Sequence, residues 1–383
     1  MTRRERLMAT IRGESVDRPP VSFYELNGLD ENPHDPDPFN IYTDPSWHPL
    51  IELTRDKTDR IVMRDIQFAG LERDLIDNLA QLRIHENNTG RHVTKTINVN
   101  GHVLTCRTRR DRDVNTIWTQ EHLLKDVDDL RAFLEIPLPQ VRPTDLITSS
   151  ILQAEETLGD SGIVMLDTFD PLCLAAALFS MEDYTIIALT EPTLFHQLLE
   201  KLADFLLPQI KAAAQSLPGR LWRIYGPEYA SPPYLPPRLF REYVVRYDTP
   251  MIKAIHQYGG YARIHSHGNL KLILDDIMAT GCMGLDPIEP APQGDVSLAY
   301  VRERYGKELV LFGNLEASDI ENCPTDQFET KVQQALKEGT SGSGRGFVLM
   351  PSACPYGRKL STLALKNYEK IIEVVEQFSA ITC

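Results

Sequence analysis

The stretch YARIHSHGNL, residues 261–270, runs from apolar residues into two histidines one position apart. Alternate side chains of a strand point to one side, so His265 and His267 share a face at the strand's end. They read as two ligands of one metal ion, or as a hydrogen-bonded pair that finishes a strand. Which reading holds depends on what the rest of the chain brings to the same place.

Working outward, runs of the same kind recur at GIVMLD (162–167), LWRIYGPE (221–228), CMGLDPIE (282–289), ELVLFGNL (308–315) and GFVLMPSAC (346–354). Segments with helical spacing of apolar residues separate them, at 192–214, 237–258, 270–280, 296–306, 325–337 and 361–379. Strands alternating with helices imply parallel pairing through right-handed crossovers. With two earlier strands near 21–24 and 60–63, the count is eight. The expected architecture is α/β, a (β/α)8 TIM barrel occupying residues 1–383 as one domain. An open doubly wound sheet is the alternative, although no GxGxxG follows a strand.

Upstream, residues 2–13 read as a short amphipathic helix ended by Gly13, and the prolines of DRPPVSFYEL turn the chain into extended backbone. Residues 28–48, rich in Pro, Asp and Asn, are expected as a lid-like excursion or a plain loop. The alternating, β-branched stretch 91–119 is expected as a small N-terminal β-hairpin insert turning at NVNGHV.

In a barrel of this kind the C-terminal strand ends face the site. Asp167, Glu228, His265, His267, Glu289, Asn314 and Cys354 close the successive runs. Zinc accepts imidazole nitrogen, thiolate sulfur and carboxylate oxygen, so His265, His267 and Cys354, with Glu289 as a further donor, form a candidate metal set. Glu228 is a candidate ligand or general acid, or a capping carboxylate. Asp167 binds substrate or a metal-bound histidine, or is structural. Tyr24, Tyr229 and Tyr356 are candidates for an aromatic pocket, and Tyr24 and Asn314 for cofactor contact, Asn314 otherwise orienting a neighbouring ligand or fixing a loop. The Gly-rich 338–347 segment precedes a strand rather than a helix, so it is a connection and not a phosphate loop.

The net charge of −14, from 40 basic and 54 acidic side chains, disfavours nucleic acid. No signal-like apolar segment opens the chain and no run of about 18 apolar residues occurs, so a cytoplasmic protein without a membrane span is expected. The six cysteines, Cys106, Cys173, Cys282, Cys323, Cys354 and Cys383, show no tight framework and read as free thiols or ligands.

These blocks resemble the uroporphyrinogen decarboxylase superfamily and, within it, the corrinoid-dependent methyltransferases. The resemblance runs through RRERLMATIRGESVDRPPV, GPEYASPPYLPPRLFREYV, HSHGNL, GLDPIEP, YGKELVLFGNLE and GRGFVLMPSACPYG. Methyltransferases of this group carry His-x-Cys and a later Cys as zinc ligands. His265 and Cys354 match the first and last, while His267 replaces the middle Cys. The harder set disfavours thiol methylation and suits an oxygen donor. Decarboxylases of the superfamily hold substrate carboxylates with an arginine-rich N-terminal segment, whereas residues 21–40 here are acidic and lack arginine. The resemblance therefore implies a zinc-dependent methyltransferase. It would take the methyl of a small methoxylated, aromatic compound and pass it to the cob(I)alamin of a separate corrinoid protein. No D-x-H-x-x-G signature for cobalamin occurs in this chain. Methyl transfer from methylcorrinoid to coenzyme M or a folate, and porphyrinogen-type decarboxylation, are the alternatives; a catalytically silent binding barrel and a homodimer are also open.

Overall fold

A computed structural model describes residues 1–382, so Cys383 lies outside the described residues. Seven parallel strands form one sheet in sequence order: β1 (Arg60–Asp65), β2 (Gly162–Phe169), β3 (Leu221–Tyr225), β4 (Tyr261–Ser266), β5 (Gly284–Pro287), β6 (Val310–Leu315) and β7 (Gly346–Pro351). The sheet curls, and its strands sort their side chains by alternation. Ile163 and Met165 of β2 join Ile61, Leu221, Val310, Phe312, Val348 and Met350 in an inner cluster. Val164, Leu166, Trp222, Ile224, Ile264, Leu285 and Leu311 face the helices in the outer one. Helix Arg3–Arg12, begun by a Thr2–Glu5 capping box and ended by Gly13 in the left-handed region, sends Leu7 and Ile11 into the inner cluster.

The expectation of eight regular strands is corrected here. The segment at 21–24 contributes a single bridge, Val21 to Leu349 of β7. Leu349 N donates to Pro20 O at 2.9 Å and Ser22 N to Leu349 O at 3.0 Å, while Asp59 N donates to Val21 O at 2.7 Å. The segment thus touches both edges of the sheet, but Pro19 and Pro20 have no N–H to give a longer ladder. Beyond Ser22 the chain turns at once, with Leu26 N bonded to Phe23 O. Asp59, fully buried, holds this seam: it accepts from Arg6 and Arg18, each at 2.7 Å, and from Val21 N at 2.9 Å.

The insert is larger than a hairpin over 91–119. It is a four-stranded antiparallel sheet of Gln81–Glu86, Gly90–Val99, His102–Asp111 and Ile117–Glu121. Its central turn is Asn100–Gly101, both at positive φ, as a two-residue hairpin loop requires. Residues 28–48 are ordered around fully buried Phe39, Ile41 and Trp47, and Trp47 Nε1 donates to Arg358 O at 3.0 Å. Among the described residues no helix is long and apolar enough to cross a membrane.

Candidate active site

The polar groups on the inner face begin below the mouth. Arg223 stands on β3 and Arg263 beside it on β4, in register. Arg223 makes a two-pronged ion pair with Asp167, at 2.6 and 3.0 Å. Arg263, fully buried, lies 3.1 Å from Asp286 and stacks near the rings of Tyr24 and Phe312, at 5.0 and 4.7 Å. Tyr24 is buried between the two guanidinium groups, with its hydroxyl accepting from Arg223 at 3.4 Å. It belongs to the inner layer and not to an open cofactor surface. Asp167 has both oxygens occupied by Arg223, which suits a structural carboxylate better than an acid or base.

One step higher, β4 delivers the histidines. His265 Nδ1 meets Asp286 Oδ2 at 2.7 Å, and His267 Nδ1 meets Glu289 Oε1 at 2.8 Å. The two rings are nearly perpendicular, with centroids 4.6 Å apart. Glu289 turns its second oxygen to Gly268 N at 2.9 Å, so both of its oxygens are engaged and here it orients His267. Burial pulls the His267 pKa down, but the hydrogen bond and charge of Glu289, with Glu228 and Asp286 behind, raise it overall. Burial likewise opposes ionisation of Asp286, yet Arg263 and His265 hold its carboxyl below the usual range.

Neither Nε2 has a protein partner among the described residues. A carboxylate on Nδ1 fixes the tautomer that leaves Nε2 as a lone-pair donor, the arrangement behind most metal-bound histidines. The two imidazoles therefore fit a zinc ion. Cys354 is not brought to them: its sulfur faces Tyr42 Oη at 3.8 Å and Pro355 O at 3.4 Å, and its N–H donates to Glu25 at 2.5 Å. Burial, with the charge of Glu25, pushes this thiol well up. Among the described residues no three His, Cys, Asp or Glu side chains are grouped as a closed metal site.

Glu228 follows β3 on a short turn and accepts from Gly226 N at 3.1 Å. It shares with His267 a cavity of about 410 Å3. Asn314, at the end of β6, is nearly buried and borders a different cavity of about 750 Å3, against helix Thr325–Gly339. Tyr229 lines the His267 cavity, whereas Tyr356 is mostly exposed. Sequence reasoning missed Arg223, Arg263 and Asp286. The signal available was an arginine in the middle of two apolar runs, LWRIY and YARIH, on the same face as the polar strand ends.

With this geometry in view, comparison with solved structures gives the architecture first. The "methyltransferase from Methanosarcina mazei" superposes with a TM-score of 0.62 at 18% identity, covering 99% of both chains. The sequence then gives the family. Residues 118–376 match the Uroporphyrinogen decarboxylase (URO-D) family, and the chain belongs to it. The uroporphyrinogen decarboxylase of Aliivibrio salmonicida (strain LFI1238) is 30% identical over 167 residues, 41% of this chain and 42% of that protein. That of Pseudoalteromonas translucida (strain TAC 125) is 28% identical over 204 residues, 51% of each. The chain thus spans about half the length of the curated relatives it matches.

Proposed function

We propose that this protein is a methyltransferase that moves a methyl group from the heteroatom of a small donor to the cob(I)alamin of a separate corrinoid protein, with zinc at His265 and His267. The methoxylated aromatic compound expected from the sequence belongs to this donor class. The observation that carries the reading is the pair of imidazoles, each held at Nδ1 by a carboxylate and open at Nε2. Zinc bound there would supply a Lewis acid for the departing heteroatom. Asp286 and Glu289 keep both rings turned and both lone pairs available. Glu228, beside His267, faces the donor as a general acid or as a further ligand. Cys354 joins the set only if its thiol leaves Tyr42. The fold likeness to a methyltransferase supports the reading at the level of architecture.

Metal analysis tests it. Wild type is expected to hold about one zinc per chain, and His265→Ala and His267→Ala to lose it; Cys354→Ala reports whether the thiol takes part. Methyl transfer from donor to cob(I)alamin should fall with the metal. A wild type that binds no zinc and methylates no cob(I)alamin overturns the reading. Family membership favours a second one, decarboxylation of a polycarboxylate. Carbon dioxide release from a porphyrinogen without added metal would establish that instead.

A further inference from the structure

The two edges of the antiparallel insert differ. Pairing to the strand Ile117–Glu121 shifts register at Arg107–Thr108, and the chain just before that strand is covered. There Val114 bridges Gly357, and Asn115 N donates to Tyr356 O at 2.8 Å. Bulges and covering chain are the usual protections of a sheet edge. Among the described residues the strand at the other edge, Gln81–Glu86, has neither. All six of its residues are exposed, and its two large aliphatics, Leu82 and Ile84, are 44% and 65% exposed. They lie on one face of the strand.

The ladder shows which backbone groups are unspent. Asn87 N donates to Gly90 O at 3.1 Å, closing the hairpin onto the neighbouring strand. Bonded pairs alternate along an antiparallel ladder. Gln81, Arg83 and His85 therefore bond inward, while Leu82, Ile84 and Glu86 turn N–H and C=O outward. Among the described residues these outward groups have no partner.

We propose that this edge pairs with the same edge of a second copy of the chain, antiparallel about a two-fold axis at Ile84. That axis sets Ile84 against Ile84, and each Leu82 against the other copy's Glu86. Every outward N–H and C=O is then bonded, and the four aliphatic side chains gather on one face. Glu86 is already paired with Arg91 at 3.0 Å, so no bare charge is covered. An axis at Arg83 would set two guanidinium groups opposite each other, and one at His85 would pair Leu82 with Asn88, beyond the strand. A second copy brings its strand already extended, whereas a free peptide would have to be ordered first. Six residues a side fall short of the roughly 20–30 of a standard interface, so the dimer is weak and reversible. Arg83, on the opposite face, approaches its counterpart diagonally and opposes association.

Sedimentation velocity on the full chain tests this. A monomer–dimer equilibrium with a dissociation constant of about 10–100 µM is expected. Ile84→Lys should weaken it about 30-fold or more, by placing two ammonium groups on the axis. Arg83→Thr should tighten it about 3-fold. Both positions are exposed, so both variants are expected to fold, and circular dichroism checks that. Residue-resolved hydrogen exchange should slow with rising concentration at Leu82, Ile84 and Glu86, leaving Arg83 and His85 unchanged. A chain that stays monomeric, a dimer that survives Ile84→Lys, or slowing that does not alternate overturns the assignment. A monomer that binds a synthetic peptide copying residues 80–87 would overturn it too, and make the edge a peptide site.

Discussion

Arg263 is an expensive side chain to place, because it is fully buried and its charge is met chiefly by Asp286, which is buried too. Removing one member of such a pair strands the other, at a cost of about 3–5 kcal/mol. Arg263→Met should therefore lower unfolding stability by that order in urea titrations and also release His265, whose orientation depends on Asp286. His267 and Glu289 give a signed dependence on pH. His267 is raised, so its contribution is complete below the ordinary imidazole value of ~6.5 and is lost as pH rises through the higher folded value. Glu289 is lowered, burial notwithstanding, because His267 bonds it; its contribution is complete above the ordinary carboxylate value of ~4.3 and is lost as pH falls through the lower folded one. The pair should stabilise the fold most between these limits. Thermal melts across pH should show the alkaline limb flattened in His267→Ala. An unchanged limb would mean that another group controls it.

Among the elements, the turn after β3 matters most, since it carries Glu228. Gly226 has φ 128°, and a Cβ there would fall 2.1 Å from Asp170 Oδ1 and 2.4 Å from Cys173 Cβ. Gly226→Ala must push this turn off the start of helix Pro171–Ala177, which Asp170 caps. A loss of about 1–3 kcal/mol is expected from such overpacking, together with slower methyl transfer through a displaced Glu228. Equilibrium unfolding and a methyl-transfer assay on one preparation would show both or refute the coupling. The same element shows what could be read beforehand. Glu228 and the histidine pair were legible as polar residues closing apolar runs, because alternation along a strand is a local property. The partners behind them were not. Asp286 and Glu289 meet the histidines across the β4–β5 pairing, and that register is set by contacts between segments about 20 residues apart. Cys354 illustrates the converse: it ends a strand as expected, but Glu25 and Tyr42, more than 300 residues upstream, decide where its sulfur points.

At the scale of the whole molecule, the strand-and-helix alternation was legible and the closure was not, because two prolines limit the first segment to one bridge. Asp59 gathers Arg6, Arg18 and Val21 at that point. Asp59→Ala should take one carboxylate from Arg6, which keeps Asp17, and leave the partly buried Arg18 without its carboxylate, at a cost of about 1–3 kcal/mol. Hydrogen exchange should show protection lost first at Val21, Ser22 and Leu349, with β3 and β4 retained. Uniform loss across the sheet would contradict a weak seam.

That joint also has a history in time. Val21 waits for Leu349, so the two rims cannot be stitched until the ribosome has delivered more than 320 further residues. Until then the greasy side of the first helix, Leu7 and Ile11, lacks Val348 and Met350 as cover. A nascent chain stalled before residue 346 should accordingly be held by chaperones, and one released past residue 351 should let them go.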